Sequence, residues 1–112
     1  MERTLPRNPF ILLLSLLVTL ATGSALAEIP PQRQAELIYL LRHDCGSCHG
    51  MRLEGGLGPA LKPDRFAGWS TEQLAATILH GRPGTPMPPW RPFFTDREAY
   101  WLAGQLKRGI RP

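Results

Sequence analysis

Apolar residues gather along this chain into one unbroken run, FILLLSLLVTLA from Phe10 to Ala21, and three periodic stretches. After Pro30-Pro31, QRQAELIYLLRHDC sets Leu37, Ile38, Leu40 and Leu41 at the spacing of a helix with one buried stripe. STEQLAATILHG predicts a second helix, with Ser70 and Gln73 forming an S-x-x-Q capping box and Gly81 as the stop. The third pattern is the clearest. Ala99, Leu102, Ala103 and Leu106 fall at i, i+3, i+4 and i+7 behind a Thr95/Glu98 capping box, Lys107 and Arg108 sit where the helix dipole favours cations, and Gly109 closes the helix. No alternating strand pattern, internal repeat or low-complexity tract interrupts this order. The chain therefore reads as an all-α domain of three main helices. Its two Gly- and Pro-rich loops, Gly50 to Gly68 and Gly81 to Phe94, are too long for plain connectors and are expected to wrap around something.

The unbroken run belongs to a different kind of segment. Arg3 and Arg7 precede it and Ala25-Leu26-Ala27 follows, giving the three parts of a secretory signal peptide, residues 1–27, with the cut after Ala27. The run is shorter than the roughly 20 residues that span a bilayer, so no membrane anchor is expected after cleavage. Residues 28–112 then form the domain, 112 minus 27 or 85 residues. A side-chain core of that size is marginal, and a staple is expected. Cys45 and Cys48 are too close in sequence for a disulfide between them to constrain the unfolded chain much, so a large apolar cofactor is the better candidate. Residues 28–112 carry 11 basic and 8 acidic side chains, or +3. They lack the basic clusters with interleaved aromatics that mark nucleic-acid binding.

The candidate chemistry lies in HDCGSCHG, His43 to Gly50. If the first helix continues through it, Cys45, Cys48 and His49 stand at i, i+3 and i+4 on one face. Two thiols can then reach the two vinyl groups of one porphyrin while the imidazole meets the iron, and C-x-x-C-H is the attachment pattern for haem c. A thioredoxin-like pair would belong beside a βαβ pattern, which is missing here. A structural zinc site would want four protein ligands, and His43 and His80 are the only further histidines. On the opposite face of the iron, Met51 is too near His49 in sequence to reach round. Met87, in the proline-stiffened GTPMPP, is the methionine candidate, with His80 or His43 as the bis-histidine alternatives. The glycine-rich loop before Pro59 lets a backbone carbonyl approach, so Pro59 is a candidate acceptor for the second ring N–H of His49. Tyr100 and Trp101 are expected to pack on Tyr39 and Leu40, while Trp69, Trp90, Phe93 and Phe94 are candidates for a cofactor pocket.

A helix running into C-G-S-C-H, a G-x-G-P-x-L loop, a middle helix, a G-T-x-M-P loop and an aromatic-bearing last helix together resemble a class I monohaem cytochrome c. The resemblance implies a compact helical fold around one covalently attached haem c, with thioethers at Cys45 and Cys48, His49 and Met87 as axial ligands, and the Pro59 carbonyl facing the His49 ring. CGSCHG, GGLGPAL and ILHGRPGTPMPPW are most similar to the small periplasmic cytochromes of the c-55X type associated with haem-cd nitrite reductase in denitrifying bacteria. That narrower likeness implies a periplasmic one-electron carrier that is not itself an enzyme. Its partners would be nitrite reductase and an upstream electron donor. The alternatives are an accessory in maturation of the reductase's haem, or a gas sensor or peroxidase-like enzyme. Arg52, Lys62, Arg82 and Arg91 are candidates for steering an acidic partner.

Overall fold

The computed structural model describes residues 28–110; the segment read as a signal peptide, with its cut after Ala27, lies outside them. Helix α1 (Pro31–Leu40) runs without a break into a π-helical turn (Leu41–Cys45) and then into the short α2 (Gly46–His49). A 3-10 turn (Pro63–Phe66) interrupts the first long loop, and α3 (Thr71–His80) and α4 (Asp96–Arg108) complete the order. Among the described residues there is no strand. The architecture is all-α, and none of the described helices is long and apolar enough to cross a membrane.

The helix starts follow from local chemistry. α1 opens with Pro31 at a first-turn position, where its missing N–H has no intrahelical partner to lose. At α3, Gln73 N–H donates to Ser70 Oγ at 3.0 Å while Ser70 N–H donates to Gln73 Oε1 at 2.9 Å. Thr95 and Glu98 repeat the exchange at α4, at 3.2 and 2.8 Å. Each box satisfies two donors that a bare helix end would leave orphaned.

α4 is the centre of the packing, touching α1, the 3-10 turn and the length of α3. Its buried stripe is Ala99, Leu102, Ala103 and Leu106, the four positions marked by the sequence pattern. Against it lie Leu74, Ala75, Ile78 and Leu79 of α3 and Leu37 and Leu41 from the first helical stretch. Glu98 serves twice. Besides capping α4 it accepts a 2.6 Å bond from Arg33 Nε, which ties the start of α1 to the start of α4. The Arg33 hydrogen bond holds its carboxyl below the usual range, so the pair stays ionised at neutral pH.

Two aromatic expectations are corrected. Tyr39 and Tyr100 do not pack together in the core; they are 63% and 49% exposed. Tyr39 lies against the His43 ring at 4.2 Å, and the Tyr100 hydroxyl reaches Glu72 at 3.4 Å. The helical angle is the reason. Leu37 and Leu41 face the core, so Tyr39, two residues from either, is turned to the far side, and Tyr100 is similarly rotated off the α4 stripe. Leu40 and Trp101 do pack against the core.

Candidate cofactor site

A cavity of about 380 Å³ opens among the π turn, the two long loops, α3 and α4, within the usual range for ligand pockets of about 300–1,000 Å³. Its wall is largely apolar, formed by Leu41, Phe66, Leu74, Ile78, Leu102 and Leu106 with Trp69, Trp90 and Phe94. Of the four aromatics left open by the sequence, Phe93 turns outward and is 63% exposed. Cys45, Cys48, His49, Pro59 and Met87 all line this one cavity.

The π turn opens at buried Leu41 and ends at Cys45, and both residues line the cavity. The Cys45 thiol is pushed up to about 11, first by burial and then by the neighbouring Asp44 charge, so at neutral pH it is an uncharged group in an apolar wall. Cys48, one turn later, is exposed, and no disulfide joins the two.

His49 Nδ1 lies 2.7 Å from the Pro59 carbonyl oxygen. A carbonyl can only accept, so Nδ1 carries the proton and Nε2 keeps its lone pair, the form that binds a metal. The loop reaches this position because residue 58 has no side chain. A Cβ on Gly58 would stand 2.7 Å from His49 Cε1 and 2.8 Å from Nδ1. Gly58 N–H also donates to the Cys48 carbonyl at 2.8 Å, stitching the loop to the motif.

The Met87 loop is anchored to the end of α3. Trp90 and Arg91 N–H donate to the Ile78 and Leu79 carbonyls at 3.1 and 3.2 Å, using acceptors that a helix C-terminus leaves unpaired. Gly81 has φ +66°, and a Cβ there would lie 2.7 Å from the Met87 carbonyl oxygen and 2.6 Å from the Pro88 carbonyl carbon. Only glycine satisfies both the backbone conformation and the close approach. The rival ligands sit elsewhere. Met51 is 60% exposed beside Gly46, His43 is exposed against Tyr39, and His80 is exposed at the last residue of α3; none of the three lines the cavity.

Haem c fits this site on two observations. The wall is an apolar slot with two thiols on one side, and Gly58 forms a cradle in which the imidazole is seated at its own van der Waals boundary. Arg65, Thr77, Arg82 and Thr85 also line the cavity, although nothing in their local sequence sets them apart from surface residues. Arg91 is paired with Asp96 at 3.0 Å.

Residues 32–104 match the protein family described as cytochrome c oxidase, cbb3-type, subunit III. The chain is 49% identical over 94 residues to cytochrome c55X of Paracoccus denitrificans, covering 83% of this chain and 91% of that one. It is 55% identical over 78 residues to cytochrome c55X of Pseudomonas aeruginosa, 70% of this chain and 66%, just under two thirds, of that protein. The dihydro-haem d1 dehydrogenase of Pseudomonas aeruginosa is 38% identical over 90 residues, 80% of this chain but 18% of the enzyme. A solved structure of the c-type cytochrome NirC superposes with a TM-score of 0.70 at 52% identity, covering 71% of this chain and 94% of that one. With the C-x-x-C-H motif on the wall of an apolar cavity and these relatives, the chain belongs to the c-type cytochromes and is similar to the cytochromes c55X, and its cofactor is covalently bound haem c.

Proposed function

We propose that this chain is exported to the periplasm, its signal removed after Ala27, and works there as a one-electron donor to nitrite reductase, recharged by an upstream donor. The observation that carries the reading is the placement of His49 and Met87 on one cavity, with the other imidazoles and the Met51 thioether outside it. Bound haem supplies one-electron chemistry at its iron. Cys45 and Cys48 would hold it by thioethers, and His49 Nε2 and the Met87 thioether would bind its iron. Pro59 fixes the His49 ring and its tautomer. Arg65 and Arg82 are the two cations on the wall and offer counter-charges to the haem carboxylates. The apolar side chains exclude water and favour the less charged reduced state. Of the acidic residues only Asp44 lines the cavity, and no second histidine accompanies it, so the site lacks a paired acid and base for bond-making chemistry.

A second reading draws on the dehydrogenase relative. An enzyme named for acting on dihydro-haem d1 contains a stretch like this chain, which favours a redox role in making the reductase's cofactor. A strain lacking the gene separates the two. Under the donor reading, reductase purified from it holds a full complement of its haem and turns over with an artificial donor, while nitrite consumption by the cells falls. Reductase that lacks its cofactor would overturn the donor role and establish the maturation role.

A further inference from the structure

We propose that the Thr85 hydroxyl is a positioning group for Met87 and sets how fast the sixth position of the iron opens, an inference that rests on reading Met87 as an iron ligand. Residues 86, 88 and 89 are prolines, so Met87 carries the only backbone N–H in the Pro86–Pro89 stretch. That N–H donates to Thr85 Oγ1 at 3.3 Å. The Met87 carbonyl accepts from Arg82 N–H at 3.2 Å, and the circuit closes as Thr85 Oγ1 donates to the Arg82 carbonyl at 2.7 Å. Thr85 N–H reaches the same carbonyl at 3.1 Å. Both backbone polar groups of Met87 are thus held, and Thr85 contributes the one side chain to a frame otherwise made of main chain.

The protein's own packing adds little at the tip: a Cβ on Gly84 would meet nothing within 4 Å, while Thr85 and Pro86 border the cavity that Met87 also lines. The Gly81 and Trp90 ends are fixed to α3, but between them the hydroxyl links the residue bearing the thioether to its anchor at Arg82. Prolines on both sides offer no replacement donors. Without the hydroxyl, Met87 N–H loses its partner and the tip gains freedom to move the thioether away. The resting ligand is unchanged; the rate of its departure rises.

The test uses haem-loaded protein, following cyanide binding to the ferric form, a reaction gated by departure of the sixth ligand, and the far-red sulfur-to-iron band. Thr85→Val keeps the branched shape and removes the hydroxyl; it should retain the band and bind cyanide about tenfold faster, as the loss of one or two net hydrogen bonds suggests. Thr85→Ser keeps the hydroxyl and should bind at the wild-type rate. Thr85→Ala, which asks less of the packing, should match the valine variant. A valine variant as slow as wild type, or a serine variant as fast as the valine one, overturns the positioning role while leaving Met87 as ligand. A wild-type band that survives Met87→Ala, or is missing from the start, overturns the ligand reading and this inference with it.

Discussion

Met87→Ala is expected to abolish the far-red sulfur-to-iron band, open the ferrous iron to carbon monoxide, and lower the reduction potential by on the order of a hundred millivolts. That drop is a modest part of the roughly 0.8 V over which axial ligands tune haem. The direction follows from the ligand. A thioether is soft and favours Fe(II), whereas the water or hydroxide that takes its place favours Fe(III). The fold should survive, because the loop is held by main-chain bonds from Arg82, Trp90 and Arg91 and by the close approach of Gly81, none of which uses the Met87 side chain. Met51→Ala, at an exposed position outside the cavity, should change none of the three. Potentiometry and carbon monoxide titration of both variants check the prediction.

The second large effect concerns attachment. Wild-type protein made with a haem-attachment system should keep its haem through denaturation and acidified organic solvent, with the mass of residues 28–112 plus one haem. Cys45→Ala or Cys48→Ala alone leaves at most one thioether. With both replaced, all haem should extract and little protein should accumulate. The size of the cavity explains the second part. Without haem, the apolar side chains around a cavity of about 380 Å³ lose the group they would bury against, in a domain whose whole stability is only about 5–15 kcal/mol. A chain of this size has no reserve to offset that loss. Denaturing mass spectrometry and solvent extraction read both outcomes.

The helices were legible because what specifies them is local. A capping box is a four-residue pattern, and the α4 stripe is a periodicity that any core would use. The cysteine motif was legible for the same reason, since its three groups share one helical face. Features that depend on distant parts of the chain were not. The Arg33–Glu98 pair joins residues 65 apart, and nothing near either one announces the other. The outward turn of Tyr39 and Tyr100 depends on which apolar neighbours win the core, and the aromatic content of α1 and α4 alone pointed the wrong way. The π turn at Leu41–Cys45 has no sequence pattern of its own. Arg65 and Arg82 look like surface charges until the loops carrying them close over the cavity. Gly58 and Gly81 could be read as turn residues, but their closeness to His49 and to the Met87–Pro88 backbone is a property of the folded chain.

With its iron held between His49 and Met87, the protein would exchange electrons without exchanging ligands. The far-red spectrum of ferric wild-type protein at neutral pH, followed by carbon monoxide addition after reduction, tests it most directly. A low-spin spectrum with the weak sulfur-to-iron band, and a reduced form that carbon monoxide scarcely alters, is the predicted result. A spectrum without that band and rapid carbon monoxide binding would exclude Met87 as the sixth ligand and favour a sensor or enzyme with an open iron.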